Sequence, residues 1–103
     1  MAVRVQEAAS LRLDEICRYT RDRWDADHAD RYITDLFAAF DRIDRHGVAS
    51  RSIPAEFGVV GFYFRHDQHF VYWRRLSDGD IGIVTILHER MHQTDRFRDD
   101  LGG

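Results

Sequence analysis

Hydrophobic and polar positions alternate most clearly between Gly61 and Met91. Val71, Trp73 and Arg75 alternate with Phe70, Tyr72, Arg74 and Leu76, and Ile81, Ile83, Thr85 and Leu87 alternate with Gly82, Val84 and Ile86. Ser77-Asp78-Gly79-Asp80 separates the two runs, and an Asp-Gly pair between alternating apolar segments predicts a hairpin turn. With Asp78 and Gly79 as the two central turn residues, Leu76 faces Ile81, Trp73 faces Val84 and Tyr72 faces Thr85. The run Ile81–Leu87 is apolar on both alternations, as expected of an interior strand covered on both faces. A preceding strand from Gly61 joins the first run through His66-Asp67-Gln68-His69, making two linked hairpins.

Upstream the period changes. Val3 and Val5 alternate with Arg4 and Gln6, which predicts a short strand at a sheet edge. From about Ser10, Leu13, Ile16, Cys17, Thr20 and Trp24 recur at helical spacing. A second helix follows, with Asp25 as its N-cap and Ala29, Tyr32, Ile33, Leu36, Phe37, Phe40 and Ile43 as its apolar stripe. It is expected to end near His46-Gly47, since glycine is the usual residue just past a helix end. Val48–Val60, with the lone Pro54, reads as a loop, and Gln93–Leu101 as one or two helical turns. Two single-striped helices need a sheet to cover. The expected fold is α+β, in the order β-α-α-β-β-β, with a helical hairpin packed on a small, mostly antiparallel sheet.

Composition narrows the class. A chain of 103 residues, 44% hydrophobic, is the size of one globular domain, read here as 1–103. No apolar run reaches the length of a membrane span, and MAVRVQEAAS has no signal-peptide core. Cys17 is the single cysteine, so no internal disulfide can form, which fits a reducing cytoplasm. All 15 basic residues are arginine, yet the net charge is −3. That balance opposes a protein that grips nucleic acid through many phosphates, and no direct sequence-specific DNA binding is expected.

Few motifs carry chemistry. His88-Glu89-Arg90-Met91-His92 matches H-E-x-x-H, which on a helix binds zinc. Here it follows a β-patterned run, no downstream glutamate exists, and Cys17 is remote; a chance match is the better reading, with no metal and no cofactor expected. His66 and His69 read as turn residues with local hydrogen bonds. Cys17 lies on an apolar stripe and reads as a small core residue. Arg65, Arg74, Arg75 and Arg90 are either solvated charge or a surface for phosphate or acidic side chains. Arg74 and Arg75 point to opposite faces, so at most one joins any concave surface.

The assembled pattern resembles the RelE/ParE superfamily of bacterial toxins, and specifically its ParE branch. The resemblance runs from Val3 to about Phe97. It rests on Leu13-Asp14-Glu15-Ile16, Tyr19-Thr20, Arg23-Trp24, then Ala29, Tyr32 and Leu36. His69-Phe70-Val71-Tyr72-Trp73-Arg74 and Ile83-Val84-Thr85-Ile86-Leu87-His88-Glu89-Arg90-Met91 complete it. The family often has Asp where His92 stands, so one replacement makes the H-E-x-x-H match. The basic lysines of the RNase branch have no counterpart.

The resemblance implies a cytoplasmic, non-enzymatic toxin of a type II toxin–antitoxin (plasmid stabilization) pair. It would poison DNA gyrase through a surface including Arg65, Arg74, His88 and Arg90, and a cognate, ParD-like antitoxin would neutralise it. The alternative is a RelE-like, ribosome-dependent mRNA endonuclease using Arg90 with His88 or His92. An antitoxin is expected to add a strand beside Val3 and Val5 and to lay a helix against Tyr19 and Trp24, with Tyr32 and Phe37 as further lining. At least two of these four aromatics are expected to be core. Arg12, Arg18, Arg23 and Arg31 are expected at the rim, steering acidic antitoxin side chains.

Overall fold

The computed structural model describes residues 2–44, 50–55 and 60–89. Strand β1 (Val3–Val5) leads into helices α1 (Glu7–Arg23) and α2 (Ala26–Asp44). Strands β2 (Arg51–Ser52), β3 (Phe62–His66), β4 (His69–Arg75) and β5 (Ile81–His88) follow. They form one five-stranded sheet in the order β1-β5-β4-β3-β2. Among the described strands only the β1–β5 pair is parallel. This is the expected α+β fold, with β1 at an edge. Two boundaries differ. The two-residue strand β2 lies inside the segment read as a loop, where Ile53 is buried and its N–H donates to the Gly61 carbonyl at 2.9 Å. Helix α1 begins at Glu7, three residues before the expected start. The expected helix end at His46-Gly47 and the turns over Gln93–Leu101 lie outside the described residues.

Periodicity explains the packing. On α2, Ala29, Leu36, Ala39, Phe40 and Ile43 are buried, and with the partly buried Tyr32 and Ile33 they complete a stripe at steps of three or four residues. Asp25 caps this helix, its Oδ1 accepting the His28 N–H at 2.7 Å. On α1, Leu13, Ile16 and Thr20 are buried, but Trp24 is not. Trp24 is the C-cap residue with non-helical dihedrals, so the stripe's phase no longer carries it inward. Both helices cover the sheet face bearing Phe64, Val71, Trp73, Ile81, Ile83 and Ile86. Ile53, Tyr72 and Leu87, with Tyr63 and Phe70, form a second cluster.

The β4–β5 register corrects the two-residue turn. Gly79 N–H donates to the Leu76 carbonyl at 2.9 Å, Leu76 N–H donates to the Asp80 carbonyl at 2.7 Å, and Gly79 has φ 91°. This is a three-residue loop, Ser77-Asp78-Gly79, closed by a residue with positive φ. Near the loop Arg75 therefore faces Ile81 and Trp73 faces Ile83, not Val84. A register shift between Tyr72 and Trp73 then absorbs one extra residue of β5, so Tyr72 still faces Thr85 as expected. The same shift puts Ile83 and Ile86, three apart, on the helix-covered face, which strict alternation forbids.

Candidate functional site

Two surfaces gather the residues with functional potential. The first is the end of the sheet reached by the β3–β4 turn. Asp67, with φ 55°, and Gln68 make that turn, so His66 and His69 face each other across it. His69 also faces His88 of β5. Residues directly opposite share a face, and these three continue the alternation of Phe64, Val71 and Ile86. The row therefore lies on the helix-covered side. There Tyr32 of α2 meets it: its hydroxyl and His69 Nδ1 share a 2.5 Å hydrogen bond. Its ring lies edge-on to His66 at 5.8 Å and tilted against His69 at 5.5 Å.

Burial sets the electrostatics of this row. His69 is driven down to a pKa of about 4, first by its own burial and then by His88 and His66, with Asp67 and Glu89 opposing. Tyr32 is raised, again by burial first and then by the Asp67 charge. His69 is thus a neutral imidazole near pH 7. His88 Nε2 lies 3.3 Å from Gln68 Oε1. Just beyond, Arg65 is ion-paired with Glu89, donates from Nε to the Asp67 carbonyl at 2.8 Å and lies 5.8 Å from the centre of the Phe70 ring.

The described members of the expected target-binding set, Arg65, Arg74 and His88, do not converge. Arg65 and His88 share this end of the sheet. Arg74 is exposed at the opposite end of β4, aligned with Gly82 and Arg4. Five residue steps along β4 separate it from His69, about 17 Å. Arg90 and His92 lie outside the described residues. Tyr32, His66 and His69 were absent from the expected target set. The His-x-x-His spacing around a tight turn was the available signal, because such a turn obliges the two flanking residues to pair.

The second surface is the helical hairpin with strand β1. Val3 and Val5 are half-buried, and β1 bonds only to β5 among the described strands, leaving its outer edge open. Tyr19 and Trp24 are 62% and 64% exposed, and Phe37 is 44% exposed. Only Tyr32 of the four aromatics packs on the core, and only in part, so the expectation of at least two core aromatics is corrected. Polar neighbours at the start of α2 leave Trp24 stacked on His28 instead, with ring centres 5.0 Å apart. Arg18, Arg23 and Arg31 are exposed. Arg12 is not a rim cation: its side chain is 11% exposed and paired with Glu15 at 3.1 Å. Cys17 is half-buried, not a full core residue.

Comparison with known families bears on both surfaces. The sequence model of the ParE toxins of type II toxin–antitoxin systems, parDE, matches residues 3–93. This chain belongs to the ParE toxin family. Toxin ParE1 of Mycobacterium tuberculosis, from strains CDC 1551 / Oshkosh and ATCC 25618 / H37Rv, is 33% identical over 87 residues, covering 82% of this chain and 85% of the relative. The family match over residues 3–93 includes both the histidine row and the helical hairpin. The family is that of the toxin component of type II toxin–antitoxin systems, a membership that implies a cognate antitoxin. No helix among its described residues is long and apolar enough to cross a membrane.

Proposed function

We propose that this ParE-family toxin arrests growth by poisoning DNA gyrase in the cytoplasm, acting as a single domain without catalytic chemistry of its own. Family membership over residues 3–93 carries the reading. Charge supports it against RNA cleavage. The net charge is −3, Arg65 is already neutralised by Glu89, and Arg74 stands at the far end of β4. Stabilising a phosphoryl transition state calls for cations converging on one point. Purified toxin should inhibit gyrase supercoiling and trap cleavage complexes. Primer extension on translating ribosomes should show no codon-positioned cuts. Cuts, with gyrase unaffected, would overturn the reading in favour of the mRNA endonuclease.

The antitoxin, ParD-like, is proposed to use the second surface. The open edge of β1 can accept an added strand. Tyr19 and Trp24 supply exposed aromatic anchors beside Arg23, the combination that dominates interface energetics. Complex formation should protect the amides of residues 3–5 from hydrogen exchange. Unprotected β1 amides in a tight complex would place the interface elsewhere.

A further inference from the structure

We propose that the outer face of the sheet binds an acidic partner peptide, Arg74 seating a glutamate carboxylate in a hollow between β4 and β1. The inference stands apart from the gyrase reading and from the antitoxin surface on the helical hairpin. Trp73, Ile81 and Ile83 point into the helix-covered core, so their chain neighbours Arg74 and Gly82 point the other way. Register aligns Arg74 with Gly82, and Gly82 with Arg4. On its other flank Arg74 meets Gly61, where an added Cβ would lie 3.4 Å from the Arg74 Cβ. Arg74 thus stands between two strand positions that carry no side chain.

The space beside Gly82 is a hollow of about 480 Å³, walled by Arg4, Gln6 and Arg74 and by Leu76 and Asp78 at the β4–β5 loop. Its two sheet arginines differ. Arg4 is paired with Asp78 at 2.6 Å and with Asp80 at 2.9 Å, which holds it as a wall. The Arg74 guanidinium is exposed and makes no ion pair or hydrogen bond among the described residues. Its planar fork matches one carboxylate through two parallel N–H···O bonds. Leu76 offers the methylenes of a glutamate an apolar contact. Asp78 and Asp80 stand close by and the net charge is −3, a field that repels a polyanion such as a nucleic-acid strand. A single carboxylate side chain is the anion this hollow suits.

NMR titration of isotopically labelled, full-length protein with a hexaglutamate peptide tests the site, with hexaglutamine and a short oligothymidylate as comparisons. The expected result is saturable shifts, largest at the Arg74 Nε–H and the Gly82 amide, weakening as salt is raised and absent with hexaglutamine. The wild-type titration needs no variant to fold. Arg74→Gln should weaken binding on the order of tenfold. Gly82→Ala would put a Cβ 2.9 Å from Leu76 Cδ2, so it should shift that flexible side chain in the hollow and weaken binding as well. Arg51→Gln, at an exposed arginine of β2 that faces Tyr63, should leave it unchanged. Absence of saturable shifts, or equal binding by Arg74→Gln, would overturn the proposal. So would shifts centred on Arg18, Arg23 and Arg31 of the helical hairpin, or oligothymidylate binding at Arg74 as tightly as hexaglutamate.

Discussion

The Tyr32 hydroxyl and His69 Nδ1 share a hydrogen bond of 2.5 Å that ties the middle of helix α2 to the first residue of strand β4. Both groups are half-buried, and burial is the leading cause of both pKa shifts, His69 down and Tyr32 up. Each side chain thus stays neutral near pH 7, and the bond joins two uncharged groups. Tyr32→Phe keeps the ring against His66 but removes the hydroxyl, leaving Nδ1 with its desolvation uncompensated. The expected loss is about 1–2 kcal/mol, read as a drop in Tm of roughly 5–10 °C for a domain of this size. An unchanged Tm would show that solvent already competes for Nδ1.

Two glycines should respond differently to alanine. Gly79 closes the β4–β5 loop at φ 91°, a conformation a Cβ disfavours, so Gly79→Ala should cost about 1 kcal/mol. At Gly61 the obstacle is space: a Cβ would lie 2.8 Å from the backbone carbonyl oxygen of Trp73. Strand β4 cannot yield as a flexible side chain can, so Gly61→Ala should cost about 2–3 kcal/mol. Urea melts of the two variants check the ranking, and equal midpoints would contradict it.

Much of this architecture is written in the sequence because one periodicity governs each element. The stripe of α2 and the alternation of β4 each follow from a single phase. What escaped was decided by small departures from phase. One loop residue more than the Asp-Gly pair implies moved Trp73 from Val84 to Ile83, and one unpaired residue of β5 moved the register back by Tyr72. Strand β2 is two residues long, too short to show alternation. The histidine row was the hardest to see. His66, His69 and His88 come from three strands, and only the full register aligns them. Trp24 shows the opposite failure, since its spacing fits the α1 stripe while its cap geometry turns it out to solvent.

The β1 edge is locked by charge, and that lock should be acid-sensitive. Asp80 accepts the Ala2 N–H at 3.1 Å and the Arg4 Nε–H at 3.1 Å, while Arg4 Nη2 also reaches Asp78 at 2.6 Å. The Ala2 hydrogen bond first, then Arg4, hold the Asp80 carboxyl below its ordinary value. A folded-state pKa below the unfolded one means the stabilisation is present above about pH 4 and is lost as pH falls through the folded value. Asp80→Asn should therefore melt below wild type at neutral pH, with the gap closing as pH is lowered from about 5 towards 2. A gap that stays constant would show that the carboxylate charge contributes nothing to holding β1.

Stability and antitoxin recognition should separate cleanly on the helical hairpin. Tyr19 and Trp24 are mostly exposed, so Tyr19→Ala and Trp24→Ala should change folding stability by less than about 0.5 kcal/mol. If they are anchors for the antitoxin, truncating either should cost about 2 kcal/mol or more of binding, a loss of roughly 30-fold in affinity. Arg23 and Arg31 are exposed as well, and charges at a rim act mainly on encounter. Neutralising them should slow association and flatten its salt dependence, with little change in dissociation. Arg12→Ala should behave in the reverse sense. Its side chain is mostly enclosed and paired with Glu15, so the variant should lose stability through lost packing with a smaller effect on the association rate. Surface plasmon resonance against an antitoxin peptide, run beside thermal melts of each variant, gives both quantities. Weak binding that tracks Tm across all five variants would mean the hairpin is only a scaffold, with the antitoxin held elsewhere.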